Sequence, residues 1–490
     1  MAAKGIVEKI STDWRPDRLS QVPLYEQIVR YVCSKVSSGE WTAGMKMPSQ
    51  RELAQQWGVN RSTVVTAMDE LASYGIFESS YGGGTRIAGN TWSLLMSEQG
   101  PDWNRYISSG EFKANQSTIQ IINKLEFDDY IRLGTGEPDP QLFPSDMMKE
   151  VLNELSDNIT SLNYLEPLGL LKLRKVLSER LEEEGINVST SCILITSGSL
   201  QALQLISIGM LRRGSTVFAE APSYLKSLQV FQSAGMNIEG IPMDKEGIKY
   251  WLMEDKAKGF NSREHNHLLY TIPTFQNPTG ILMSESRREE LFTFCRNNAM
   301  PVIEDSAYSQ IWFDSKPPLS LKARDKNGLV LYIGTLSKSL APGLRIGWIV
   351  GPESVVQRLG DVKMQTDYGA SSLSQWVAAR FLETGLYDRY LVEYRKEMKR
   401  RRDNALNAMK RYMAGKAEWN CPEGGFYIWT TLKGNVSTEQ LFKMALKKRI
   451  LLNPGNIYDF SVNKSLRISY AYENCATFEK AIKELADILY

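Results

Sequence analysis

A chain of 490 residues is too long for one ordinary core, so two or more domains are expected. With 42% hydrophobic and 23% charged residues it reads as soluble and globular, and a net charge of +2 leaves any nucleic-acid role to a local patch. The start, MAAKGIVEKISTDW, has no apolar signal core, and no run of about 18 apolar residues occurs. The expectation is a cytoplasmic protein with no membrane span. Five cysteines (Cys33, Cys192, Cys295, Cys421, Cys475) are scattered without C-x-x-C pairing, which favours free thiols over disulfides or zinc. His265 and His267 flank one asparagine in a polar stretch and read as a solvated loop, so no metal site or imidazole triad is expected.

In chain order, PLYEQIVRYVCSKVSSG has apolar residues at helical spacing (Leu24, Ile28, Tyr31, Val32, Val36) and a stop at Gly39. SQRELAQQWGVNRSTVVTAMDELASYG reads as two helices broken at Gly58-Val59-Asn60, with Ser49 and Asn60 as caps and Gly75 as the second stop. IFESSYGGGTRIA reads as two short strands around a Gly-rich turn. These elements occupy residues 20–89. Residues 90–129 are polar and aperiodic and read as a linker with room for one short helix.

From 130 to 490 apolar strand-like runs alternate with helical ones: CILITSG, TVFAEAP, HLLYTIP, PVIEDSA, LVLYIGT, RIGWIVG. That alternation argues an α/β class, a mainly parallel sheet with helices on both faces. From about 388 a long charged helix opens a smaller α+β subdomain containing the strands GGFYIWTTL and SLRISYA.

Polar residues sit where the predicted strands end. ITSGSLQAL offers Gly198 and Ser199 at a strand-to-helix turn, whose N–H groups suit a phosphate. PSYLKSL offers Tyr224, FQNPTG offers Asn277, and VIEDSAY offers Asp305 and Tyr308. In TLSKSLAPGLRIGW, Lys338 lies between Ser337 and Ser339, and Arg345 follows seven positions later. Singly, each has an ordinary reading: a helix opening, a turn, a cap, a lysine in water. Their shared placement at strand C-termini, where α/β sheets bind ligands, favours one site.

Together these motifs, with IRLGTGEPDP, NYLEPLGLLKLRKVL and LRISYA, resemble the pyridoxal-phosphate-dependent, fold-type-I aminotransferases of class I/II. The resemblance runs from IRLGTGEPDP to the C-terminus. It implies that Lys338 is the Schiff-base lysine, and that Ser337, Arg345, Ser199 and the N–H groups of Ser199 and Leu200 grip the cofactor phosphate. Asp305 would pair with the pyridine nitrogen, Asn277 and Tyr308 would bond the ring oxygen, and Tyr224 would stack on the ring. Tyr164 would reach the phosphate across a homodimer, Arg467 would clamp a substrate carboxylate, and Gly136 would lie beside that ligand. Leu200 departs from the pattern, since relatives often carry a polar side chain there; its N–H is unaffected.

The first region is similar to the GntR-type winged helix-turn-helix, on the pattern P-S-x-R-x-L-A, G-V-x-R-x-T-V and a wing ending G-T. The similarity implies that the helix Asn60–Tyr74 enters the major groove. Arg51, Arg61, Ser62 and Thr63 would meet phosphates and bases, and Tyr81, Gly83 and Arg86 would place the wing. Residues 1–90 hold 10 basic and 9 acidic residues, so overall charge adds little. A winged helix can also bind protein, but here the basic residues fall on the reading elements. The run YRKEMKRRRD reads as a solvated charged helix rather than a DNA patch.

A GntR-type head on an aminotransferase-like body resembles the MocR-type transcriptional regulators. That resemblance implies a dimer that binds an operator and senses an amino acid or amine through exchange at Lys338. The alternative is a working aminotransferase with an appended winged helix. Since every residue the chemistry needs is present, the sequence leaves turnover open.

Overall fold

A computed structural model describes residues 10, 13–38, 40–42, 44–80, 84–88, 117–159, 161–254, 267–459 and 464–489. The chain divides into two compact units, Met1–Gly110 and Glu111–Tyr490.

In the first unit, α1 (Leu24–Ser37), α2 (Gln50–Trp57) and α3 (Arg61–Ser73) precede the hairpin strands β1 (Phe77–Ser80) and β2 (Gly84–Ile87). Helix α2 opens on a capping box: Ser49 Oγ accepts from Glu52 N (3.3 Å), and Ser49 N donates to Glu52 Oε2 (2.8 Å). It ends at Gly58, whose φ of +65° is the left-handed turn that frees α3 to leave at an angle. Asn60 occupies the N-cap of α3, but its side chain makes no capping bond. The Thr63 N–H turns instead to the Asn60 carbonyl at 3.1 Å. The apolar faces of the helices (Ile28, Val32, Leu53, Trp57, Val64, Leu71) close on Phe77 and Ile87 of the hairpin, and all are buried. Antiparallel pairing runs from Phe77↔Ile87 to Ser80↔Gly84. This is a winged helix.

Among the described residues, the second unit's first element is a helix at Ser117–Leu125, inside the stretch expected to be linker, followed by β3 (Ile131–Arg132). Its main sheet contains β4 (Ile193–Thr196), β5 (Thr216–Ala221), β6 (Asn237–Asp244), β7 (Gly247–Ile248), β8 (His267–Thr271), β9 (Val302–Asp305), β10 (Val330–Thr335) and β11 (Gly347–Val350). The strand order is β4-β11-β10-β9-β8-β5-β6-β7. Strands β6, β5, β8, β9 and β10 pair in parallel, while β11 is antiparallel to both β10 and β4. Strand β4 therefore points the same way as β9 and β10, and the C-terminal ends of all three open on one edge. Every residue of β4, β9 and β10 is buried, as a sheet covered on both faces requires.

A 27-residue helix, Leu386–Tyr412, leads into a second, antiparallel sheet of order β12-β13-β16-β15. Its strands are β12 (Ala417–Trp419), β13 (Tyr427–Leu432), β15 (Asn453–Pro454) and β16 (Ser465–Ser469). The intervening β14 (Ile450–Leu451) pairs in parallel with β3, which brings residues 131 and 450 together.

One expectation is corrected. His267 is not in a solvated loop: it opens β8, is half-buried, and burial lowers its imidazole pKa. His265 lies outside the described residues. The five cysteines are free thiols. Among the described residues no helix is long and apolar enough to cross a membrane.

Candidate functional site

The shared edge of β4, β9 and β10 gathers most of the residues singled out in the sequence. Thr335 ends β10, and its Oγ1 donates to Ser337 Oγ (3.0 Å) and accepts from Ser337 N (3.2 Å). That tight turn aims the next residue, Lys338, across the unit, where Nζ donates to the Gly136 carbonyl at 2.8 Å. Tyr394 OH bonds the Lys338 carbonyl (3.1 Å) and Tyr387 OH bonds Ser339 Oγ (2.7 Å), so the long helix holds the loop from below. Burial pushes the Lys338 ammonium down to about 8, with Arg467 and Lys226 adding to the effect against Glu137 and Asp305.

Asp305 ends β9 and is 4% exposed. One carboxylate oxygen accepts from Tyr270 OH (2.9 Å) and the other from Ala307 N (3.2 Å). Among the described residues no cation is bonded to it, and burial raises its pKa. A buried acid held by two donors beside Lys338 is set up to receive a cationic partner. Asn277 and Tyr308 meet directly, with Asn277 Nδ2 donating to Tyr308 OH at 3.1 Å, both buried. Tyr224 is the N-cap residue of the helix Leu225–Ser233 and is half-buried; burial raises its phenol pKa.

Beyond β4, Gly198 has φ +87° and precedes the helix Ser199–Met210. No side chain caps that helix, so its first N–H groups, those of Ser199 and Leu200 included, face outward at the positive end of the dipole. Arg345 reaches the same point. It donates to the Ser197 carbonyl (2.8 Å), and a Cβ on residue 198 would stand 2.7 Å from its Nη2. Helix end, exposed guanidinium and the buried Ser337 hydroxyl together offer a group of anion donors.

Arg467 enters from β16 of the small sheet. Its Nη1 donates to Asn277 Oδ1 (2.9 Å) and Nη2 to the Gly134 carbonyl (2.5 Å), while Nε is buried with no hydrogen-bond partner among the described residues. Its guanidinium lies over the rings of Tyr427 (4.4 Å) and Tyr458 (4.9 Å). Gly136 marks the centre of the site: a Cβ there would lie 2.9 Å from Tyr427 OH, 3.9 Å from Arg467 Nη2 and 4.0 Å from Lys338 Nζ.

Tyr164 is the exception. It is 76% exposed and its ring lies tilted at 60° against that of Tyr368 (centroids 4.8 Å apart), so within one chain it does not join this group. Sequence reasoning passed over Tyr427, Tyr458 and Tyr270. Tyr427 follows Gly424-Gly425, two glycines with no room for a Cβ against Phe275, and that pair was the available signal.

In the winged helix, Arg51, Arg61 and Ser62 are exposed and Thr63 half-exposed at the start of α2 and α3. Among the described residues, Arg61 donates a hydrogen bond to Gln50 Oε1, at 3.5 Å. Arg86 is partly engaged, donating to the Gly44 carbonyl at 2.8 Å. Tyr81 and Gly83 lie outside the described residues. The run YRKEMKRRRD is tied up by acids: Lys396 with Glu393, Lys399 with Asp314, Arg400 with Glu397, Arg401 with Asp139, Arg402 with Asp403. Such neutralised pairs argue against a second DNA surface there.

Fold and site together define a winged helix joined to an aminotransferase-type body. Residues 128–485 match Aminotransferase class I and II, and residues 24–87 match the bacterial regulatory proteins of the gntR family. The chain is 48% identical over 477 residues to the uncharacterized HTH-type transcriptional regulator YisV of Bacillus subtilis, covering 97% of this chain and 98% of YisV. It is 34% identical to the HTH-type transcriptional regulator NorG of Staphylococcus aureus, covering 90% and 98%. Among solved structures, Pyrococcus horikoshii kynurenine aminotransferase, crystallised with PMP, superposes with a TM-score of 0.75 at 34% identity, over 79% of this chain and 98% of its own. The chain belongs to the GntR-family transcriptional regulators of MocR type, whose aminotransferase-like body implies pyridoxal phosphate as cofactor.

Proposed function

We propose that this regulator senses an α-amino acid or related amine in the body and converts its presence into a change in operator binding by the head. Residues 20–89 are the head, 90–129 the linker and 130–490 the sensor, with 388–490 as its smaller subdomain. The protein works as a cytoplasmic homodimer. The observation that carries the reading is the convergence at Gly136, where an amine-bearing lysine and a carboxylate-binding arginine both come within about 4 Å of one point.

The residues fit pyridoxal phosphate, which when bound supplies an aldehyde for amines and an electron-withdrawing ring. The buried Asp305, with no cation bonded to it among the described residues, would hold a proton at the pyridine nitrogen. The open helix end at Ser199 and Leu200, with Arg345 and Ser337, would bind the phosphate. Asn277 and Tyr308 would bond the ring oxygen, and Tyr224 would cover a ring face. Tyr164, exposed on its own chain, would complete the phosphate site of the partner subunit. Lys338, with its pKa near 8, holds or releases a proton close to neutral pH, which suits an amine that must be both displaced and restored. Arg467 fixes a ligand carboxylate, and its aromatic walls exclude water from that contact.

Ligand sensing requires that the effector favour one of two states of the protein by differential affinity. In the head, Arg51, Arg61, Ser62 and Thr63 contact DNA, with Arg86, Tyr81 and Gly83 at the wing. The test is titration of amino acids into holoprotein with cofactor absorbance and operator affinity followed together. A second reading, an active aminotransferase, is favoured by the completeness of the Lys338, Asp305, Asn277 and Arg467 set; turnover with a keto acid measures it.

A further inference from the structure

We propose that Tyr427 is a positioning residue whose hydroxyl donates to Tyr308 and so turns the Tyr308 proton toward the ring oxygen of the bound cofactor. The inference rests on the cofactor reading above.

The direction of each bond follows from the network. Arg467 Nη1 donates to Asn277 Oδ1 at 2.9 Å, so the amide oxygen faces the guanidinium and Nδ2 faces Tyr308. Asn277 Nδ2 then donates to the Tyr308 oxygen at 3.1 Å. Tyr308 and Tyr427 are joined hydroxyl to hydroxyl at 2.9 Å, and either geometry permits either donor. Each phenol owns one proton. If Tyr308 spent its proton on Tyr427, it would have none for the ring oxygen. If Tyr427 donates, Tyr308 accepts from both Asn277 and Tyr427, and its own proton is free to point at the ligand.

Two features favour Tyr427 as donor. The Arg467 guanidinium lies 4.4 Å from the centre of its ring, and a cation against a phenol ring withdraws electron density and strengthens O–H as a donor. Both phenols are buried, Tyr308 at 3% exposure and Tyr427 at 0%, so water does not compete for the bond. A chain of donors in a dry site polarises link by link, which makes Tyr308 a stronger donor than it would be alone. Tyr427 is held by strand β13, and Gly136 clears space for its hydroxyl, since a Cβ would come within 2.9 Å of it.

The test uses holoprotein of the wild type, Tyr427→Phe, Tyr308→Phe and the double variant. The quantity measured is the pH midpoint of the cofactor's visible absorbance. A donor to the ring oxygen favours the proton-poor, more negative state, so losing it moves the midpoint to higher pH. Tyr308→Phe is expected to move it most. Tyr427→Phe keeps the ring and its packing, and is expected to move it upward by on the order of half a unit, with no further shift when added to Tyr308→Phe. A midpoint unmoved by Tyr427→Phe, or moved equally in both backgrounds, overturns the inference while leaving the cofactor reading intact. A wild type with no visible band after incubation with pyridoxal phosphate overturns both.

Discussion

Lys338 Nζ donates to the Gly136 carbonyl at 2.8 Å, across 202 positions of sequence, in a setting that depresses its pKa to about 8. The sign is fixed by burial, which penalises the charged amine. At pH 7 roughly one molecule in ten then carries a neutral Lys338, against roughly one in three thousand for an ordinary lysine. The rate at which apoprotein captures pyridoxal phosphate, followed by stopped-flow absorbance, should rise with pH, reach half its maximum near pH 8 and level off about a unit above. Continued rise toward pH 10 would show an ordinary amine. Lys338→Ala should give no borohydride-fixed adduct.

Asp305→Ala removes a buried carboxylate expected to meet a cation. A charge-assisted bond contributes about 1.5–3 kcal/mol, so cofactor affinity measured by fluorescence quenching should fall roughly 10- to 150-fold. Unchanged affinity together with an unchanged spectrum would place Asp305 outside the site.

Gly198 is constrained twice, by its φ of +87° and by the guanidinium of Arg345 at 2.7 Å from where a Cβ would stand. Gly198→Ala and Arg345→Ala should both shrink the preference of apoprotein for pyridoxal phosphate over pyridoxal, because the phosphate loses its donors. Equal preference in wild type and both variants would move the phosphate elsewhere.

Head and body residues should separate cleanly. Arg61→Ala and Arg51→Ala should weaken operator binding and leave the cofactor spectrum alone. Where the lost contact is to phosphate, the slope of log affinity against log salt should fall by about one unit. Fluorescence anisotropy on operator and unrelated DNA across salt concentrations measures this.

Much of this was legible in the chain because buried parallel strands read as apolar runs, and a polar residue that ends one, such as Asp305 in VIEDSAY or Lys338 after LYIGTLS, stands out. Tyr427, Tyr458 and Tyr270 did not stand out, since a tyrosine within an apolar strand has the same pattern whether it packs in a core or bonds in a site. Asn60 is the N-cap residue of α3, as its place in the sequence indicates, but its backbone carbonyl rather than its side chain accepts from Thr63 N–H. His267 opens strand β8 directly after a polar stretch, and that stretch hides the strand's start in the sequence. The Arg86 contact to Gly44 is set by a hairpin edge meeting a distant turn, which no local pattern encodes.

In the proposed function an amine ligand at Lys338 and Arg467 controls DNA binding. The direct measurement follows, on one preparation of holoprotein and with the same amino acids, cofactor absorbance, operator affinity and transamination with a keto acid. The expected result is a ligand that changes the spectrum and the operator affinity together. Arg467→Ala should weaken that response to carboxylate ligands and leave the ligand-free DNA affinity nearly intact. Turnover in the range of dedicated enzymes, roughly 1–10³ s⁻¹, with operator affinity unmoved at saturating ligand, would contradict it.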